Sequence, residues 1–162
     1  MEAVSALNMR SLATLALLTG IICLTACNPR NLPGFKQEAK RQEQRISRET
    51  DEAIRKSAGL QELDHLCTQE IPRPSKFALD RKYRDYNEEK FLGYGYQSDT
   101  DYQSVKSFYL KYFNEHGWQI IKQKDGGWGP SEIEFGNDRY RVTVYDKGQS
   151  EGGTYDVVCA RL

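Results

Sequence analysis

His65, His116, Cys67 and Cys159 are the side chains of this 162-residue chain whose types invite chemistry. His65 and Cys67 stand two apart, so on an extended backbone both point the same way. The imidazole would then be placed to take the thiol proton, as in an activated nucleophile. Pairing of Cys67 with a second cysteine removes that thiolate. His116 falls in the last turn of a helical pattern, where an imidazolium complements the helix dipole. Asp99 and Asp101 precede the same pattern and read as capping acids, since no EF-hand-like ligand run surrounds them. Glu88 and Glu89 sit in a turn. Glu132 and Glu134 alternate with Ile133 and Phe135, the pattern of a solvent face, so no glycosidase pair can be argued from spacing. Gly-x-Ser-x-Gly, a Walker loop and His-Glu-x-x-His are all missing from the sequence. No catalytic residue, metal ligand or cofactor is therefore expected.

Aromatic residues are the unusual endowment, with ten tyrosines and two tryptophans. Trp128 sits among glycines and before Pro130, in a loop that either folds over a ligand or partner or caps the sheet edge. Tyr94, Tyr96 and Tyr145 are hard to bury together with it. Arg139 and Arg141 lie nearby in sequence, and aromatics with arginine are what interface hot spots use. These six residues form the candidate binding set.

The elements that must position them follow from periodicity. Lys76–Tyr86 and Phe91–Ser98 read as two strands around a polar turn. The second alternates Leu92, Tyr94 and Tyr96 with Phe91, Gly93 and Gly95. Thr100 to Gln103 fits a capping box. Tyr102, Val105, Phe108, Tyr109, Tyr112 and Phe113 then form a wide apolar helical stripe, closed by Gly117 in a left-handed C′ position. A strand follows from Trp118. Glu132–Phe135 and Arg139–Asp146 make a hairpin, and Thr154–Ala160 is the last strand. Leu66–Glu70 reads as a further short strand before Pro72. The expected fold is α+β: one amphipathic helix on an antiparallel sheet in the order β-β-α-β-β-β-β, two layers over one core. This domain is expected over 61–162. Before it, residues 36–60 are charged and helix-favouring, with oppositely charged pairs four apart such as Arg45–Glu49 and Glu52–Lys56. Their few apolar residues, Ala39, Ile46, Ala53 and Leu60, fall seven apart in a narrow seam. That suits a solvated helical tether, with a partner-seeking helix as the alternative.

The N-terminus carries Arg10, an apolar run over Leu12–Leu24 too short to span a bilayer comfortably, and then Leu24-Thr25-Ala26-Cys27. This segment resembles the signal peptide and lipobox of bacterial lipoproteins. Met9-Arg10 makes a more orthodox start for it than Met1-Glu2. The resemblance covers residues 9–28 and implies export, removal of 1–26, and acyl chains on Cys27 that hold the protein to a membrane. Residues 27–35 would then be a turn-rich spacer. Asn28, where inner-membrane lipoproteins tend to carry Asp, favours the outer membrane in a Gram-negative cell. In that oxidising compartment Cys67 and Cys159 read as a disulfide, expected to join the first short strand to the last one at a sheet edge.

Removing 1–26 takes away one base and one acid, so the chain stays neutral. This balance argues against nucleic acid as a partner, because phosphate binding needs a basic excess. The expected role is non-catalytic: binding or assembly with an envelope protein through the tyrosine face and the Trp128 loop. The alternative is a small-molecule or glycan module with a cleft lined by Tyr94, Tyr96 and Trp128.

Overall fold

A computed structural model of the chain describes residues 33–85, 89–126, 130–148 and 153–162. The signal segment, Cys27, Glu88 and Trp128 lie outside these residues. The chain divides into two units at Gln42/Glu43. In the first, the described residues are the opening turns of helix α1 (Pro33–Lys56). There the Glu38 carboxylate accepts from Gln42 Nε2 at 3.2 Å and lies 4.0 Å from Arg41. Both are exposed i,i+3 and i,i+4 pairings that support a solvated helix.

The second unit, Glu43–Leu162, is the α+β domain. It holds the rest of α1, helix α2 (Ala58–His65) with a π-helical turn at Leu66–Glu70, helix α3 (Tyr102–Glu115) and six strands. The strands are β1 (Ala78–Arg84), β2 (Phe91–Gln97), β3 (Gln119–Lys124), β4 (Ser131–Gly136), β5 (Tyr140–Asp146) and β6 (Thr154–Arg161). They form one antiparallel sheet in the order β1-β2-β6-β5-β4-β3. Among the described residues no helix is long and apolar enough to cross a membrane.

Alternation sorts the sheet into two faces. Leu92, Cys159, Val142 and Phe135 stand in one cross-strand row, and Tyr94, Val157, Val144 and Ile133 in the next. Onto this packed face α2 brings Leu60 and Leu63, and α3 brings Val105, Tyr109 and Phe113 at a four-residue spacing. Phe113 stacks on Phe135 with ring centroids 4.2 Å apart. Every one of these side chains is almost wholly buried, each contributing roughly 1.5–3 kcal/mol of hydrophobic stabilisation. The helix ends by the expected device, Gly117 at φ 75°.

Four expectations are corrected. The N-cap of α3 is Asp101 rather than Thr100. Its carboxylate accepts from Ser104 N at 2.9 Å and from Ser104 Oγ at 2.6 Å. Thr100 is engaged elsewhere, its hydroxyl accepting from Ser98 and its carbonyl from the Tyr155 hydroxyl. Leu66–Glu70 is a π-helical continuation of α2 and not a strand, with Ile71 N donating five residues back to Leu66 O. Leu60, Leu63, Leu66 and Cys67 follow a helical spacing that the strand assignment overlooked. Cys67 therefore reaches Cys159 from the helical layer onto an interior strand, not at an edge; their Cα atoms are 6.1 Å apart. Finally, α1 is not a tether as far as residue 60. From Glu43 on it belongs to the domain, with Thr50 fully buried and Ala53 and Ile54 packed on the core.

The two sheet edges are closed in different ways. At β1, the Ser47 hydroxyl of α1 accepts from Lys82 N at 3.0 Å and donates to Lys82 O at 3.3 Å. At β3 no helix does this among the described residues, and all six residues of the strand are exposed. A register shift beside Ile121 and the side chains of Lys122 and Lys124 blunt that edge against chance pairing.

Candidate functional site

Opposite the helices lies the other face of the sheet, which α2 and α3 leave uncovered because their apolar residues all join the packed side. Two cross-strand rows define it. One runs Arg81, Gly95, Asp156, Tyr145, Glu132, Lys124, and the next runs Tyr83, Gly93, Val158, Thr143, Glu134, Lys122.

The centre of this open face is Asp156, only 1% exposed although neither α2 nor α3 packs on this side. Its own neighbours bury it. Arg81 reaches from β1 across β2 to place Nη2 3.0 Å from Asp156 Oδ1. The Tyr83 hydroxyl donates to Oδ2 at 2.9 Å, and Lys147 Nζ pairs with the same oxygen. Such a crossing needs bare backbone beneath it. A Cβ at Gly95 would stand 2.6 Å from Arg81 Cγ, and one at Gly93 would overlap the Tyr83 ring. The two glycines of β2 are therefore the floor over which edge strand β1 is strapped to β6. Burial, and then the Asp156 carboxylate, push the Tyr83 phenol far above its ordinary pKa, so it stays a donor.

A carboxylate out of water is tolerable only when paired and hydrogen-bonded. Asp156 meets that condition with two cations and one hydroxyl. With its charge saturated and its surface covered, it is built to hold strands together rather than to transfer protons. What faces outward is the upper surface of these groups: the Tyr83 and Tyr145 rings, Thr143, Val158, and the stems of Arg81 and Arg141, all part-exposed. Arg141 lies over Gly136, its Nε 3.6 Å from Glu134, while Lys122 pairs with Glu132. Burial and the nearby Glu132 raise the Tyr145 pKa as well. The product is a surface of ring faces and mutually neutralised charges, with an open hollow at its β1 side lined by Arg81, Tyr83 and Lys147 together with Glu43 and Ile46 of α1. Among the described residues no group of acids, histidines and cysteines could hold a metal ion.

The candidate binding residues separate on this geometry. Tyr145 and Arg141 lie together on the open face. Tyr94 and Tyr96 are each 1% exposed and belong to the core, which corrects their expected place on an exposed tyrosine face. The Tyr94 hydroxyl donates to Asp64 at 2.5 Å, and Phe77 packs against Tyr96. Arg139 is exposed but faces the helical side, donating to Glu62 of α2 at 2.6 Å and covering the Tyr140 ring. His65 pairs with Glu70 at the surface and His116 Nδ1 lies 2.7 Å from Tyr112 O; Cys67, the thiol that His65 was placed to activate, is held in the disulfide. Arg81, Tyr83, Lys147 and Asp156 were missed from sequence. The available signal was the Gly93/Gly95 alternation in β2, which marks a strand face that something else must cover. Compared with protein-family models, with curated proteins and with solved structures, the chain matches none.

Proposed function

We propose that this chain is a lipid-anchored lipoprotein of the bacterial cell envelope, and that its open sheet face is a non-catalytic docking surface for another envelope protein. The observation that carries the reading is that uncovered face. Tyr83, Tyr145, Arg81 and Arg141 are laid flat across a rigid six-stranded sheet, pre-ordered before any partner arrives. Tyrosine and arginine held rigid on a sheet lose little entropy on binding, which is why such residues dominate interface energetics. The lipobox-like Leu24-Thr25-Ala26-Cys27 supports the anchor, and the Cys67–Cys159 bridge suits an oxidising compartment outside the cytoplasm. The rival reading, an aromatic cleft, loses Tyr94 and Tyr96 to the core.

The test is site-specific photo-crosslinking in cells. A crosslinker at Thr143, on the open face, should capture one dominant envelope protein, and one at Lys111, on the exposed side of α3, should not. Equal capture from both positions, or none from Thr143, would remove the open face as the docking surface. In the same cells Cys27→Ala should leave the membrane fraction; retention there would count against the lipid anchor.

A further inference from the structure

The β1 edge is covered by a helix, and the quality of that cover is unusual. Three residues spaced one turn apart along α1 make it: Glu43, Ser47 and Asp51. Glu43 lies 3.5 Å from Arg81 Nη1, and Asp51 Oδ1 takes Lys82 Nζ at 2.9 Å. Between them the Ser47 hydroxyl occupies both outward backbone groups of Lys82, the N–H and the carbonyl that an adjacent strand would use. The contacts with the β1 edge are thus polar, while Ala53 and Ile54, further along the helix, rest on the core. Both acids of this seam are nearly half exposed, so its ion pairs are screened and weak.

Two further features work against a permanent cover. Thr50, on the buried side of α1, is wholly enclosed with its hydroxyl unpartnered, a penalty paid only while the helix is docked. Directly after α1, Ser57 is a single extended residue at φ −118° and ψ 118° before α2 begins. Beyond that break the chain is fixed, because Leu60 and Leu63 are fully buried and the Cys67 disulfide follows. Ser57, whose hydroxyl caps α2 at Leu60 N and donates to Glu89 at 2.6 Å, is therefore the break at which a helix held by the core and the disulfide meets one held to β1 by polar contacts.

We propose that the Glu43–Lys56 part of α1 is a displaceable cover, and that the β1 edge beneath it takes an extended acidic segment of a partner protein as a seventh strand. The chemistry of the occupant follows from what the cover supplies. Arg81 and Lys82 are met now by Glu43 and Asp51, so a replacing strand must bring carboxylates to the same two cations. Lys82 N and O would pass from the Ser47 hydroxyl to backbone partners, the β-strand addition mode of peptide recognition. From Arg81 to Arg84 the β1 ladder with β2 is regular, the register shift falling earlier, beside Asp80. That regular stretch offers a straight template. This edge shares Arg81 with the open sheet face, but capture at Thr143 reads that face and peptide binding to the Ser47 and Thr50 variants reads this edge, so either can fail alone.

The test uses the full-length protein and two opposed variants. Ser47→Ala removes the bond that occupies the edge, and Thr50→Val removes the buried hydroxyl without changing shape. In native-state hydrogen exchange, the amides of Glu43–Lys56 and of Lys82 should open together, at least about tenfold faster than those of Val144 and Val157. Loss or gain of one hydrogen-bond equivalent moves an equilibrium by about fivefold. Ser47→Ala should therefore speed that opening about fivefold and Thr50→Val slow it by a similar factor. A synthetic seven-residue valine-rich peptide with two adjacent glutamates at its centre, one for each face of the added strand, should bind Ser47→Ala most tightly and Thr50→Val least, and its lysine counterpart should not bind. Exchange of α1 only together with the β5 and β6 amides would overturn the displaceable cover. Equal affinity of the valine–glutamate peptide for all three proteins, or no binding to Ser47→Ala, would overturn the docking edge.

Discussion

The ring of Tyr83 rests on the bare backbone of Gly93, and its hydroxyl crosses to Asp156 at 2.9 Å on the strand beyond. One side chain thus spans three strands, and the glycine beneath it is part of the same contact.

Gly93→Ala should consequently destabilise the domain by about 1–3 kcal/mol, the usual cost of overpacking. In a Tyr83→Ala background most of that cost should vanish, because the atoms that collide with the new methyl are gone. Urea unfolding of the two single variants and the double variant measures this coupling. Strictly additive losses would show that the ring is not what forbids a side chain at position 93.

Asp156→Asn keeps the shape of the side chain and removes its charge, leaving Arg81 and Lys147 facing a neutral amide. A wholly buried pair broken in this way loses about 3–5 kcal/mol. Lys147 is about half exposed, so a smaller loss of about 2–3 kcal/mol is expected. Equilibrium unfolding checks it, and a change below 0.5 kcal/mol, of the order of a surface substitution, would show the carboxylate to be dispensable (about that size is typical of exposed sites).

Reduction of Cys67–Cys159 should lower the melting temperature. The bridge joins residues 92 apart; disulfides typically contribute about 2–4 kcal/mol, and long loops such as this one lie at the upper end or above. Both sulfurs are buried, so reduction should need partial unfolding and proceed slowly without denaturant. Calorimetry with and without reductant decides; identical curves after confirmed reduction would mean that the packed face holds without it.

Alkali should unfold the domain in a step that tyrosine absorbance reports. Burial raises the phenols of Tyr83, Tyr94 and Tyr109 far above 10.0, and Tyr102 and Tyr155 are pushed up to about 12. Because the folded-state values exceed the unfolded one, the stabilisation is complete below about pH 10 and is lost as pH climbs through the folded values. Titration at 295 nm should show surface tyrosines ionising first, then a cooperative rise coinciding with loss of circular dichroism. A single smooth curve centred on 10, with the fold intact, would contradict the burial of these rings.

Periodicity made most of the sheet legible. The alternation in Phe91–Gln97, Tyr140–Asp146 and Thr154–Arg161 places each strand to within a residue or two, and the stripe from Val105 to Phe113 marks α3. Less legible were features set by neighbours distant in sequence. Tyr94 and Tyr96 look too polar to bury until Asp64 and the rings of Phe77 and Tyr155 are brought beside them. Asp156 looks like an ordinary solvent-face acid until Arg81 and Tyr83 arrive from a strand more than seventy positions earlier. The charges along α1 read as solvated because their partners, Arg81 and Lys82, lie on a strand that local pattern does not connect to them. At Leu66–Glu70 the helical spacing of Leu60, Leu63, Leu66 and Cys67 is legible, but it stops inside the π-helical turn, so the last residues before Pro72 carry no helical period of their own.

The place of β6 between β2 and β5 bears on how the chain assembles. The β1–β2 hairpin and the β3–β4–β5 meander can each form from neighbouring sequence, yet nothing joins them until residues 154–161 have been made and inserted between them. The long-range pairing of the sheet, β2 with β6, waits for that strand, an arrangement that slows folding because distant loops must close before contacts reward them. Cys159 arrives on the same strand, so the cross-link is also set last. A chain threaded through a narrow channel from its N-terminus would remain two unjoined halves throughout its passage, and would lock into its final form only when the far side receives the end.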